Sequence, residues 1–205
     1  MFTASENVAS GMKTFGLTGG VGMGKSTAAG FLRARGAQVV DTDELARQLV
    51  QPGEAALAEI QNVFGKKIVS DDGRLRRDEL ARIVFADSAA RKKLEEILHP
   101  KIRGRWLAQM ENWRRENHPL AVVVIPLLFE TQAGLQFDKI ICVACSAANR
   151  QKRLLERGWT PEQIRQRIAA QMPVDEKIAR SDFVVWTDGD LESHSAQLDL
   201  ILAGL

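Results

Sequence analysis

The residues with the clearest chemical potential are Gly19-Gly20-Val21-Gly22-Met23-Gly24-Lys25-Ser26, followed by Thr27. The pattern G-x-x-x-x-G-K-[ST] is that of a loop that wraps a phosphate chain. Glycines allow the backbone to turn its N–H groups inward around an anion without Cβ clashes. A helix beginning at the end of such a loop adds its electropositive terminus to the same anion. Lysine brings a point charge to the outer phosphates, and a hydroxyl beside it can ligate Mg²⁺. On this reading Gly20, Val21, Gly22, Met23, Gly24, Lys25, Ser26 and Thr27 bind ATP. Lys25 also serves catalysis, and Ser26 is the expected metal ligand.

A second set of groups suits the acceptor side of a phosphoryl transfer. Asp41-Thr42-Asp43 closes an extended run at Ala37–Asp41. A carboxylate there can take the proton of an attacking hydroxyl, or hold Mg²⁺ through water. One of the two can cap the helix that continues through Leu45 and Leu49 while the other works on substrate. Asp43 is the expected catalytic, substrate-facing carboxylate, the alternative being that it only caps that helix. Residues 150–180 carry eight Lys and Arg against four Asp and Glu, a local surplus larger than the net +2 of the whole chain. Arginines on a helical hairpin folded over the phosphates would neutralise charge in the transition state. Arg153 and Arg157 share one helical face and are the expected phosphate contacts, Arg153 as a catalytic residue and Arg157 as an ATP ligand.

These groups need a scaffold that brings them to one edge. Five β-like runs stand out: Thr14–Thr18, Ala37–Asp41, Leu120–Ile125, Lys139–Cys145 and Phe183–Trp186. Several are almost continuously apolar, as strands of a parallel sheet covered on both faces must be. Helical segments separate them. One runs from Ser26 to Arg35 and stops at Gly36, and another opens on Thr160-Pro161-Glu162-Gln163 in the manner of a capping box. Alternation of this kind predicts an α/β doubly wound, five-stranded parallel sheet with right-handed crossovers.

One connection, Thr42 to Pro119, is too long for a simple crossover. Its helical stripes (Leu57, Ile60, Phe64; then Leu94, Ile97, Leu98; then Ile102, Trp106, Trp113) predict an inserted helical lobe, with the tryptophans in the lobe's own core. The expected division is a core of residues 12–41, 120–146 and 181–205, a lobe of 42–119 and a lid of 147–180. Residues 1–11 are expected to be an N-terminal extension or a leftover of cloning.

The 205 residues are 45% hydrophobic and 26% charged, with 28 Lys and Arg against 26 Asp and Glu. That balance excludes a disordered chain and gives no global signature of nucleic-acid binding. No segment reaches the roughly 18–20 apolar residues of a membrane span, and the start does not read as a secretory signal. The only cysteines, Cys142 and Cys145, sit in an apolar strand-like run and read as core filling in a reducing, cytoplasmic setting. Within phosphate-loop proteins, the D-x-x-G and N-K-x-D signatures of GTPases are missing, as is a strand ending in Asp-Glu. A small-molecule kinase remains, with a non-catalytic nucleotide switch or a nucleoside monophosphate kinase as alternatives.

Several separated blocks together make the chain resemble the bacterial dephospho-CoA kinases. They are Leu17-Thr18-Gly19-Gly20 leading into Gly24-Lys25-Ser26-Thr27, Val40-Asp41-Thr42-Asp43, and Leu98-His99-Pro100-Lys101-Ile102. Further on come Pro126-Leu127-Leu128-Phe129-Glu130, Arg153-Leu154, Arg167, and Ala170-Gln171-Met172-Pro173. The resemblance implies ATP-dependent phosphorylation of the ribose 3′-hydroxyl of dephospho-CoA with Mg²⁺, and ATP and dephospho-CoA as the partners, with no nucleic acid or membrane. It implies that Asp43 receives the hydroxyl proton. It places His99 in the substrate lobe, and Pro126, Leu127, Leu128 and Glu130 along the acceptor site. The chain departs from the family pattern at Met23, where Ser is usual, and at Thr187, where Asn is usual. The Met23 side chain is expected to point away from the phosphates.

Overall fold

A computed structural model of the chain describes residues 11–204. The expectation for the N-terminal segment therefore lies, for residues 1–10, outside the described residues. Five parallel strands form one sheet: β1 (Lys13–Thr18), β2 (Gln38–Asp41), β3 (Leu120–Val124), β4 (Lys139–Ala144) and β5 (Phe183–Trp186), in the order β2-β3-β1-β4-β5. The chain leaves β1 towards β2 on one side and later crosses from β3 to β4 over β1. The carboxyl end of the central strand is thus a topological switch point, where such folds open a crevice.

Side chains of a strand alternate between faces, and both faces are covered here. Phe15, Leu17, Val122, Val124, Ile141 and Val143 face one layer, formed by α1 (Lys25–Ala34) and α9 (Leu191–Ala203) through Ala28, Leu32 and Leu198. Ala121, Val123 and Ile125 face the other, where Trp106, Met110 and Trp113 lie against them. Those three belong to α5 (Ser88–Arg115), 28 residues long. The tryptophans therefore sit elsewhere than expected. They cover the sheet, because the carboxyl-terminal half of α5 is the crossover helix into β3. The inserted lobe has a separate core of Val50, Ile60, Ile68, Leu80 and Val84, joined by Leu94, Ile97 and Leu98. It is built from α3 (Ala55–Phe64), α4 (Arg77–Ala86) and the first half of α5, with α2 (Thr42–Leu49) leading in.

After β4 the chain forms α6 (Ala147–Glu156), α7 (Pro161–Ala169) and α8 (Val174–Ala179). The capping box at Thr160 is present, with Thr160 and Gln163 satisfying each other's backbone N–H. Cys142 and Cys145 are free and buried, as expected of core filling, and burial lifts the Cys142 thiol to about 11. No helix among the described residues is long and apolar enough to cross a membrane.

Candidate active site

The phosphate loop hangs between the end of β1 and the start of α1, and two backbone positions fix its shape. Gly19 has φ of +140°, and a Cβ there would stand 2.2 Å from the Val143 carbonyl oxygen. Gly24, at φ of +94°, turns the chain into α1 in a left-handed conformation that side chains rarely adopt. No side chain caps α1, so the N–H groups of its first turn are left for an anion. The Lys25 ammonium donates to the carbonyls of Gly19 (3.0 Å) and Gly20 (2.9 Å). Burial lowers Lys25 to about 8, helped by Lys177 and Arg150 and opposed by Asp43 and Asp41.

The two aspartates are placed differently. Asp41 caps α2, its Oδ1 accepting the Asp43 N–H at 2.8 Å. The Asp43 carboxylate makes no such bond and lines the cleft. Burial raises its pKa first, the Asp41 charge adds to this, and Lys25 and Arg47 oppose it. A carboxylate poised this way is a better proton acceptor than an ordinary one.

Both groups open onto a cavity of about 1000 Å³ that runs from the phosphate loop into the helical lobe. His99, Pro126, Leu127 and Arg157 line it, together with Val21, Gly22, Met23, Gly24, Lys25, Ser26 and Thr27. Met23 is otherwise 99% hidden, and its sulfur lies against Gly20. Gly20 is a buried residue of the loop and contributes its carbonyl to Lys25.

Three expected residues are placed differently. Leu128 is fully buried in the sheet's second core, over Gly16, and does not reach the cavity. Glu130 turns to the hairpin, where it accepts the Met172 N–H at 2.8 Å and pairs with the Lys177 ammonium at 2.9 Å. The physical reason is that Lys177 is 0% exposed and needs a counter-charge. Arg153 donates to the Thr187 hydroxyl at 2.8 Å and to the Thr187 carbonyl. It therefore lines a smaller pocket of about 170 Å³ behind the loop, with Gly24, Thr27, Arg157 and His194. The Thr187 hydroxyl, donating to the Met23 carbonyl at 3.1 Å, is committed to protein partners.

Four residues to which the sequence reading assigned no site role are brought to the site by the fold. Arg150 donates to the Val21 carbonyl at 3.0 Å, and Gln171 accepts the Val21 N–H at 3.0 Å. Arg167 stacks on Trp159 at 4.2 Å and on Phe85 at 5.3 Å, bridging hairpin and lobe at the cavity wall. Lys177 reaches the Pro126 carbonyl at 2.5 Å. Arg150, Arg153 and Arg157 lie on one helical face, so Arg150 was open to detection by periodicity. Gln171 stood in the Ala170-Gln171-Met172-Pro173 block without an assigned role, and Lys177 left no local signal.

The donor set fits Mg²⁺. Ser26, Asp41 and Asp43 bring hard oxygen ligands to the same cavity. No cluster of three His, Cys, Asp or Glu among the described residues could hold a metal ion unaided. Phosphate and water would have to complete the shell, which is how Mg²⁺ is usually bound.

The family description "Dephospho-CoA kinase" matches residues 13–193. The chain is 44% identical to the dephospho-CoA kinase of Anaeromyxobacter dehalogenans, over 95% of this chain and 92% of that one. The crystal structure of TT1252 from Thermus thermophilus superposes with a TM-score of 0.80 at 37% identity, covering 95% of this chain and 98% of that one. The dephospho-CoA kinase of Campylobacter jejuni gives a TM-score of 0.68 at 26% identity, covering 93% and 95%.

Proposed function

Because the chain belongs to the dephospho-CoA kinase family, we propose how its own residues divide the labour of one phosphoryl transfer. The protein phosphorylates dephospho-CoA with ATP, a step of coenzyme A biosynthesis. The observation that carries the assignment of roles is the shared cavity. It holds an uncapped helix start with Lys25 at one end and the desolvated Asp43 beside it.

The β- and γ-phosphates of ATP lie in the loop, against the N–H groups of the first turn of α1 and the Lys25 ammonium. The acceptor occupies the lobe side, along His99, Pro126 and Leu127. Its ribose 3′-hydroxyl attacks the γ-phosphorus while the bond to the β,γ-bridging oxygen breaks. The hydroxyl proton passes to the Asp43 carboxylate, and ADP leaves. Such transfers proceed through a loose transition state, so positioning and charge neutralisation carry the catalysis. Lys25 and Arg157 supply positive charge from two sides. Arg153 frames the nucleoside end of ATP through Thr187 in the smaller pocket. Mg²⁺, held by Ser26 with Asp41 or Asp43 close by, would offset charge on the phosphates.

Residues 147–180 close over the nucleotide as a lid, and residues 42–98, which include the start of α5, form the acceptor lobe. Of the lid arginines, Arg157 serves the nucleotide phosphates, while Arg150, Arg153 and Arg167 turn to the loop or to the walls of its pockets. A cytoplasmic setting suits the two free thiols. The position of transfer is tested by proton and phosphorus NMR of the product from dephospho-CoA and ATP. A phosphomonoester coupled to the ribose H3′ is expected. A phosphate on the 2′-oxygen or at the thiol end would overturn the placement of the acceptor.

A further inference from the structure

Val21 stands at the tip of the phosphate loop, and both polar groups of its backbone are held by side chains from the lid. Its carbonyl accepts from Arg150 Nε, and its N–H donates to Gln171 Oε1, each at 3.0 Å. Gln171 comes just past Ala170, the C-cap of α7, and its neighbour Met172 is pinned through its own N–H to Glu130 Oε1 at 2.8 Å. Backbone and side chain are thus fixed between two walls of the cleft.

An N–H can face only an acceptor, so the oxygen of the Gln171 amide must be the atom turned to Val21. The amide nitrogen then points away from the loop. It has two N–H donors and no protein partner among the described residues. Gln171 lines the same cavity as Lys25, Ser26 and Asp43. A side-chain amide with its oxygen clamped and its donors free is a preorganised pair of neutral hydrogen-bond donors. Such donors are most effective where charge develops during reaction.

On the kinase reading above, we propose that Gln171 contacts substrate, its NH₂ group donating to the phosphoryl group in transit while Val21 holds the amide in register. The neutral donors complement the charges of Lys25 and Arg157. They hydrogen-bond to equatorial phosphoryl oxygens and take no proton from the reaction.

The experiment compares Gln171→Met and Gln171→Glu with the wild type, using ATP and dephospho-CoA as probes. Methionine keeps the volume and loses every polar contact. Glutamate keeps the shape and the oxygen for Val21 but loses the donors. Both variants are expected to lose at least about 10-fold in kcat, with KM for dephospho-CoA within about 3-fold of wild type. A Gln171→Glu enzyme within 3-fold of wild-type kcat would reduce the residue to a strap on Val21 and overturn the proposal. So would an unimpaired Gln171→Met enzyme, which would leave only charge repulsion in the glutamate variant. Melting curves identify any variant that has lost its fold, and Gln171→Glu, with its contacts intact, keeps the question open to refutation. Failure of the wild type to turn over dephospho-CoA would instead strike at the kinase reading.

Discussion

Lys25 should give the enzyme a basic pH limit well below that of an ordinary lysine. Its ammonium is partly withdrawn from water against two backbone carbonyls, with Lys177 and Arg150 nearby, and its pKa falls from 10.5 to about 8. The charged form is therefore lost as pH rises through about 8. About 90% of the free enzyme carries the charge at pH 7, about half at pH 8 and roughly a tenth at pH 9. Because kcat/KM reports the free enzyme, its value for ATP should fall about 10-fold per pH unit above that point. Bound triphosphate favours the ammonium, so kcat at saturating ATP should hold to higher pH. The assay is ADP release coupled to NADH oxidation, at subsaturating and saturating ATP across the pH range. Lys25→Arg should remove the limb at a lower overall rate, since guanidinium does not titrate there. A wild-type kcat/KM for ATP that stays flat to about pH 9.5 would refute the reasoning.

Four further outcomes follow from the site. Asp43→Asn should lower kcat by about 10²-fold or more while ATP binding persists, and a near wild-type rate would remove Asp43 as the base. In the wild type, the raised pKa of Asp43 should move the acid limb of kcat above the ordinary aspartate range, since the base is lost as pH falls through that pKa. Gly19→Ala places a Cβ 2.2 Å from the Val143 carbonyl, and calorimetry should show a loss of about 3 kcal/mol or more. A melting temperature within about 2 °C of wild type would contradict that clash. Glu130→Ala strands the buried Lys177 ammonium and should cost about 3 kcal/mol, much of it restored by adding Lys177→Met. Equal stability of the single and double variants in denaturant titrations would show that the pair carries no such penalty.

The sheet was legible because its signals are local. Val122-Val123-Val124-Ile125 could only be a buried strand, and the Phe183–Trp186 run matches β5 end to end. The phosphate loop was legible because backbone chemistry forces its residue types, as the Gly19 geometry bears out. That one of the two aspartates caps α2 was legible, and the structure makes Asp41 the cap. What escaped depends on contacts between segments far apart in sequence. Trp106 and Trp113 share the helical stripe of the lobe, but nothing local says that α5 leaves the lobe to cover the sheet. Leu128 and Glu130 look alike as members of one motif, yet the neighbouring core takes the first and a lysine 47 residues away takes the second. Gln171 and Val21, 150 residues apart, meet only because the hairpin folds back on the loop.

The account stands most directly on acceptor choice. Purified protein with ATP and dephospho-CoA, followed by mass spectrometry, should show dephospho-CoA gaining one phosphoryl group as ADP appears. Its kcat/KM should exceed that for AMP, CMP or shikimate by at least about 100-fold. Dephospho-CoA left untouched while one of the other acceptors is phosphorylated would contradict the account.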